Sequence, residues 1–146
     1  MLQQVESIAL KNKNLPTVSP LVDSNFIAEV GTLALTAGHD VYRLQGSILI
    51  DTAQTGDQMT QMNNVVKEIY AGDMVMKDDH GICCCMIYGQ DNLSPISPET
   101  SHVLYVVYAP VGVPVEAVEA QLQAIEANIR LFAPSAVVKQ SRVITN

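Results

Sequence analysis

Between Ala71 and Ala109 this chain alternates short apolar runs with clusters of turn-forming residues, and that alternation limits its fold more than any other feature. In AGDMVMKDDHGICCCMIYG, Ala-Gly-Asp and Asp-Asp-His-Gly bracket the run MVMK. The run reads as a strand, and Asp79-His80-Gly81 as the hairpin turn leading into ICCCMIY. HVLYVVYA, over 102–109, alternates and is long enough to cross a sheet. Strands joined by tight turns pair antiparallel. SILI at 47–50 adds a brief strand, and VVKEIY at 65–70 fits strand or helix. DTAQTGDQMTQMNN, over 51–64, is polar without a sustained period and reads as a loop.

Helical periodicity lies outside this region. In DSNFIAEVGTLALTAG, Phe26, Ile27, Val30, Leu33, Ala34 and Ala37 fall on one face, with Asp23 or Ser24 to cap the start and Gly38 to end the helix. From Pro114 to Phe132, Val115, Val118, Leu122, Ile125, Ile129 and Phe132 recur at helical spacing. Glu116 and Glu119 suit the positive end of that helix and Arg130 the negative end. Met1 to Lys13 reads as a short helix or helix end, LPTVSP at 15–20 as an extended connector, and SAVVKQSRVI as a closing strand. Helices kept apart from hairpin-linked strands imply an α+β domain, a mixed and mainly antiparallel sheet flanked by helices, rather than a doubly wound one.

With 146 residues, 48% of them hydrophobic and 16% charged, residues 1–146 suit a single domain with its own core. No membrane span or apolar leader is expected, so the expected address is the cytoplasm. A formal charge of −7, from 15 acidic against 8 basic residues, repels polyanions. DNA is not an expected partner, and RNA would be held only locally.

All three cysteines are contiguous, Cys83 to Cys85. On a strand the outer two face one way and Cys84 the other, so they do not converge on an ion. A structural zinc site needs four ligands, and no second pair exists here. Neither a metal nor any other cofactor is expected, and the triplet reads as sheet interior. His39, His80 and His102 share no metal-binding spacing. His80 reads as a turn residue and His102 as the start of a strand, whereas His39 and Asp40 form an ionisable pair at a helix-to-strand connection. YGQDNLSPISPET, over 88–100, combines amides, carboxylates and hydroxyls with two prolines, which suits a rigid recognition loop as well as a solvated crossover.

The order of these pieces resembles the B3/B4 domain of the phenylalanyl-tRNA synthetase beta subunit, and more closely the free-standing B3/B4 proteins. The resemblance runs from roughly residue 5 to residue 132. It rests on Leu15, Pro16, Pro20, Leu21, Val22 and Asp23, on the spacing from Asp23 to His39-Asp40, and on Ile96, Ser97 and Thr100 ahead of a strand. VESIAL near the start resembles the end of a helix belonging to a longer N-terminal region in relatives, which this chain is expected to lack.

What the resemblance implies is a pocket that hydrolyses tRNA charged with the wrong amino acid, without a protein nucleophile, by water aided by the terminal ribose. Carried over, His39 is expected to orient water or substrate, with Asp40 orienting it or binding the amino group. Asn25, Phe26, Gln90, Asp91, Asn92 and Thr100 are expected to line the pocket. Phe26 stands where the family usually has Asn, Ala37 where the synthetase has its pocket histidine, and Gly89 and Leu93 where free-standing relatives often carry arginine. The expected partner is aminoacyl-tRNA or a free amino acid. The alternatives are a non-catalytic binding module for an amino acid, metabolite or protein, and an interaction domain that pairs with a copy of itself.

Overall fold

The computed structural model describes residues 17–144. The helix expected over Met1–Lys13 lies outside the described residues. The chain divides into two compact units, one holding the segments up to Thr36 and from Tyr105 onward, the other Ala37–Leu104. The fold is α+β, with mainly antiparallel strands in several sheets and, among the described residues, two α-helices. Among the described residues no helix is long and apolar enough to cross a membrane.

The first unit contains both α-helices of the described residues. Helix α1 spans Pro20–Thr32, so it starts ahead of both expected caps, Asp23 and Ser24. Ser19 caps it instead, its hydroxyl accepting from Val22 N at 3.3 Å, and Pro20 supplies a helical φ where no N–H is needed. The helix stops well before Gly38 because Leu33 takes a left-handed conformation with φ 61°, and Gly38 lies inside strand β1, Leu35–Asp40. Helix α2, Val115–Arg130, buries Val118 and Ile125 of the expected face together with Gln121, while Val115 and Phe132, the latter past its end, are exposed. The expected closing strand is absent. Val137 and Val138 are exposed, and Arg130 Nη1 donates to Ala136 O at 3.1 Å. A short apolar run without a partner edge makes no strand.

Polar groups stitch the two helices together. Gln121 is wholly buried and its Nε2 donates to Thr36 Oγ1 at 2.9 Å, while the Thr32 hydroxyl bonds to Gln121 Oε1. Glu29 Oε1 accepts from Thr36 N at 2.6 Å, and burial pushes its carboxyl up to about 7. Asn128 Nδ2 donates to Ser24 O at 3.0 Å and Tyr105 Oη to Leu21 O at 2.8 Å.

The second unit holds a four-stranded sheet in the order β2-β5-β6-β7: Leu49–Thr52, Met74–Asp78, Gly81–Cys85 and Gly89–Gln90. Strands β3, Gln58–Thr60, and β4, Val66–Glu68, form a separate hairpin. Strand β8, Val103–Tyr108, pairs with β1. The segment expected to be a loop over 51–64 therefore carries the end of β2 and all of β3. These strands are too short and too polar to show a period, yet Met59 joins Ala53, Ile69, Val75 and Cys85 in the core.

The cysteine strand behaves as expected of sheet interior, since all three thiols are buried and none is in a disulfide. Its register is less simple. Met76 and Lys77 of β5 face Cys84 and Ile82, which leaves Cys83 as the extra residue of a bulge. Cys83 keeps its carbonyl in use by accepting from Asp91 N at 2.9 Å, so the bulge carries the chain after β7 along the same ladder.

Two outcomes follow from these contacts. Glu29 holds its proton more tightly when folded than its ordinary 4.5. Its contribution is therefore greatest below pH 4.5 and is lost as pH rises through about 7. In urea melts across that range, Glu29→Gln should gain on the parent as pH rises, and a constant difference would exclude the carboxyl as the cause. Gly46 adopts φ +64°, and a Cβ there would collide with the Asp79 carboxylate. Gly46→Ala should cost ~1–2 kcal/mol in the same melts.

Candidate functional site

The site is built where the second unit's part of β1 meets the segment after β7. His39 pairs in an isolated bridge with Pro95, Asp40 N donates to Ser94 O at 3.0 Å, and Val41 N donates to His102 O at 2.9 Å. Backbone bonds thus lock the 89–100 segment against the end of β1.

Side chains complete the lock. His39 is 0% exposed, and its Nδ1 lies 2.8 Å from Ser94 Oγ, which donates to Asp91 Oδ1 at 2.6 Å. With its hydrogen given to a carboxylate, the Ser94 oxygen accepts from His39, and Nδ1 carries the ring proton. Gln90 Nε2 donates to Gly38 O at 2.8 Å and Ser94 O at 3.3 Å. It also lies 3.1 Å from His39 Nδ1. His39 Nε2 is then a bare acceptor, buried and without a hydrogen-bond partner. Burial lowers the imidazole to about 4, against a weaker opposing pull from Asp78, so the ring is neutral. Burial raises the Asp91 carboxyl, and the Ser94 hydroxyl and backbone N–H work against that rise.

Asp40 stands apart from His39. Its carboxylate caps the single 3-10 turn Val41–Arg43 by accepting from Tyr42 N at 3.0 Å, and it accepts from Thr100 Oγ1 at 2.7 Å. The carboxylate linked to His39 is Asp91, through Ser94. Asn92 turns toward the β3–β4 hairpin, its Nδ2 donating to Asn64 Oδ1 at 2.9 Å. Asn25 and Phe26 lie on α1 in the first unit, where Asn25 Nδ2 donates to Thr36 O at 3.2 Å. The structure therefore joins His39, Gln90 and Asp91 in one network and places Asp40 with Thr100 in a second.

The surface next to this network is a shallow groove of about 230 Å³ lined by Gln61, Met62, Asn63, Tyr88 and Gln90. Gln61 Nε2 donates to Tyr88 O at 2.9 Å, and Gln61 and Asp91 form an isolated bridge. Lys67 Nζ lies over the Tyr88 ring, 4.5 Å from its centre, and Tyr70 lies against the same ring at 6.5 Å. Three amides, a thioether and a phenol can bind a small group with mixed polarity, and none supplies an acid or base near neutrality.

Of the groove residues only Gln90 is anticipated by sequence. Gln61, Met62 and Asn63 hide in the segment read as a loop, where a dense run of amides from Gln58 to Asn64 is the available signal. Ser94 is masked as a turn residue before Pro95.

The second unit thus sets a buried histidine network beside an amide-lined groove. The B3/4 domain family matches this chain over residues 3–132, and the chain belongs to that family. It is thus a domain related to those of tRNA synthetases. Comparison with curated proteins finds no match.

His39 makes the network sensitive to acid. Its folded value of about 4 lies below the ordinary 6.5, so its contribution is complete above pH 6.5 and is lost as pH falls through 4. That loss amounts to ~3 kcal/mol. His39→Asn, which keeps a donor toward Ser94, should flatten the decline in denaturant melts between these limits. A decline of unchanged steepness would assign it to other groups.

Proposed function

We propose that this domain binds the aminoacyl group of an aminoacyl-tRNA in the amide-lined groove of its second unit and releases mischarged tRNA in trans, in the cytoplasm. The observation that carries this reading is the coupling of the groove to the buried network: Gln90 lines the groove and is fixed by Gly38 O and Ser94 O. A wall held this firmly can position an ester without further ordering cost when the ligand arrives.

Hydrolysis would proceed by positioning. An aminoacyl ester is already activated, and the terminal ribose of the tRNA supplies a hydroxyl that can orient water. His39 is then a positioning residue that acts through Gln90 and Ser94, since its ring is buried and neutral. Asp40 and Thr100 would hold the far end of the loop.

Binding without turnover is the second reading. It is favoured by the lack of a groove side chain that titrates near neutrality, and by Gly89 and Leu93 at positions often occupied by arginine in relatives. Arginines there would have clamped phosphate or carboxylate.

Deacylation of a panel of correctly and wrongly charged aminoacyl-tRNAs separates the two. Selective release is expected, and Gln90→Leu should slow it about 10–100-fold. His39→Asn should retain more activity than His39→Leu and change kcat more than KM, because the defect lies in alignment. Binding without release would establish the second reading, and neither binding nor release by the folded protein would exclude both.

A further inference from the structure

The chemistry left open at the groove is one-sided. The groups that accept from the Gln61 and Gln90 amide nitrogens are backbone carbonyls, Tyr88 O for Gln61 and both Gly38 O and Ser94 O for Gln90; His39 Nδ1, 3.1 Å from Gln90 Nε2, carries a proton and does not accept. A carbonyl only accepts, so each side-chain amide has one permitted orientation, with its NH₂ toward the backbone. Reversing either would set oxygen against oxygen. The Oε1 atoms, 120° away on the same carbons, are what these two groove residues retain for a ligand.

We infer that the groove selects aminoacyl groups whose α-amine is free, with Gln61 Oε1 and Gln90 Oε1 accepting from the α-ammonium. This rests on the aminoacyl-binding reading given above. An ammonium brings three donors and a positive charge, and a charge-assisted bond to a neutral amide oxygen is stronger than a neutral one. Acylation removes the charge and leaves one N–H. It also adds a carbonyl whose lone pairs would face the two glutamine oxygens, so rejection comes from repulsion as well as lost attraction. No lining residue is a carboxylate, which makes these oxygens the acceptors on which discrimination depends. Met62 and Tyr88 remain for the amino-acid side chain.

The test uses two non-hydrolysable probes, phenylalanyl and alanyl groups joined by an amide to 3′-amino-3′-deoxyadenosine, each with the α-amine free and acetylated. Calorimetric titration should give about 10-fold or greater preference for the free amine. Gln61→Leu should move that ratio toward one, and Gln61→Glu, which sets a carboxylate at the same position, should widen it. Thermal melts of both variants check that the groove is folded. Equal affinity for free and acetylated probes in the parent protein would overturn the inference and leave aminoacyl binding standing. An undiminished ratio in folded Gln61→Leu would overturn the assignment to Gln61. Failure of every probe to bind would overturn the inference together with the reading beneath it.

Discussion

The hydrogen-bond chain from Asp91 through Ser94 to His39 is the constraint on which the second unit's recognition surface depends. Each member is nearly or wholly buried, and a buried polar group is tolerable only when partnered. Moving the 89–100 segment would strand a carboxylate, a hydroxyl and an imidazole together. That shared penalty holds an irregular segment as firmly as a strand and fixes Gln90 at the groove. The chain is directional as well: the carboxylate takes the serine hydrogen, which makes the serine an acceptor and fixes the histidine tautomer.

The bulge in the cysteine strand supplies the geometry for this arrangement. An added residue at Cys83 shifts the register of β6 against β5, and the same residue's carbonyl receives Asp91 N. The ladder between β6 and β7 thereby extends by one bond beyond the named strand and delivers Asp91 to Ser94. The first unit uses a different polar device, with Gln121 bonded to threonines at Thr32 and Thr36. In both units the interior is specified by directional bonds as well as by apolar area, which fits a domain with only seven aromatic residues, two Phe and five Tyr.

Periodicity made several elements legible in sequence. Strand β5, the Asp79–Gly81 turn and helix α2 stand close to where the residue pattern puts them, because each has a strong repeat or an unambiguous breaker. The first helix was harder to place because its apolar face continues past Leu33 into β1, and only the left-handed turn at Leu33 separates them. Strands β3 and β4 have three residues each, too few to reveal a period, and the valines after Ala136 form no strand. At the site, His39 and Gln90 could be picked out, yet sequence adjacency suggested Asp40 as the histidine's companion. Adjacent strand residues point to opposite faces, and the companion carboxylate comes from 52 positions away, 91 − 39, through a serine between them.

Three thiols in a row would be a hazard on a surface, open to oxidation and to disulfide exchange. Here burial, with the nearby carboxylates of Asp78 and Asp91, pushes the Cys83 thiol up to about 12, so thiolate is scarce. Cys84 and Cys85 are equally closed off from solvent. The row is consequently silent to reagents while the sheet stays shut, and its reactivity is a native clock: the rate at which these sulfurs become modified counts how often the second unit opens.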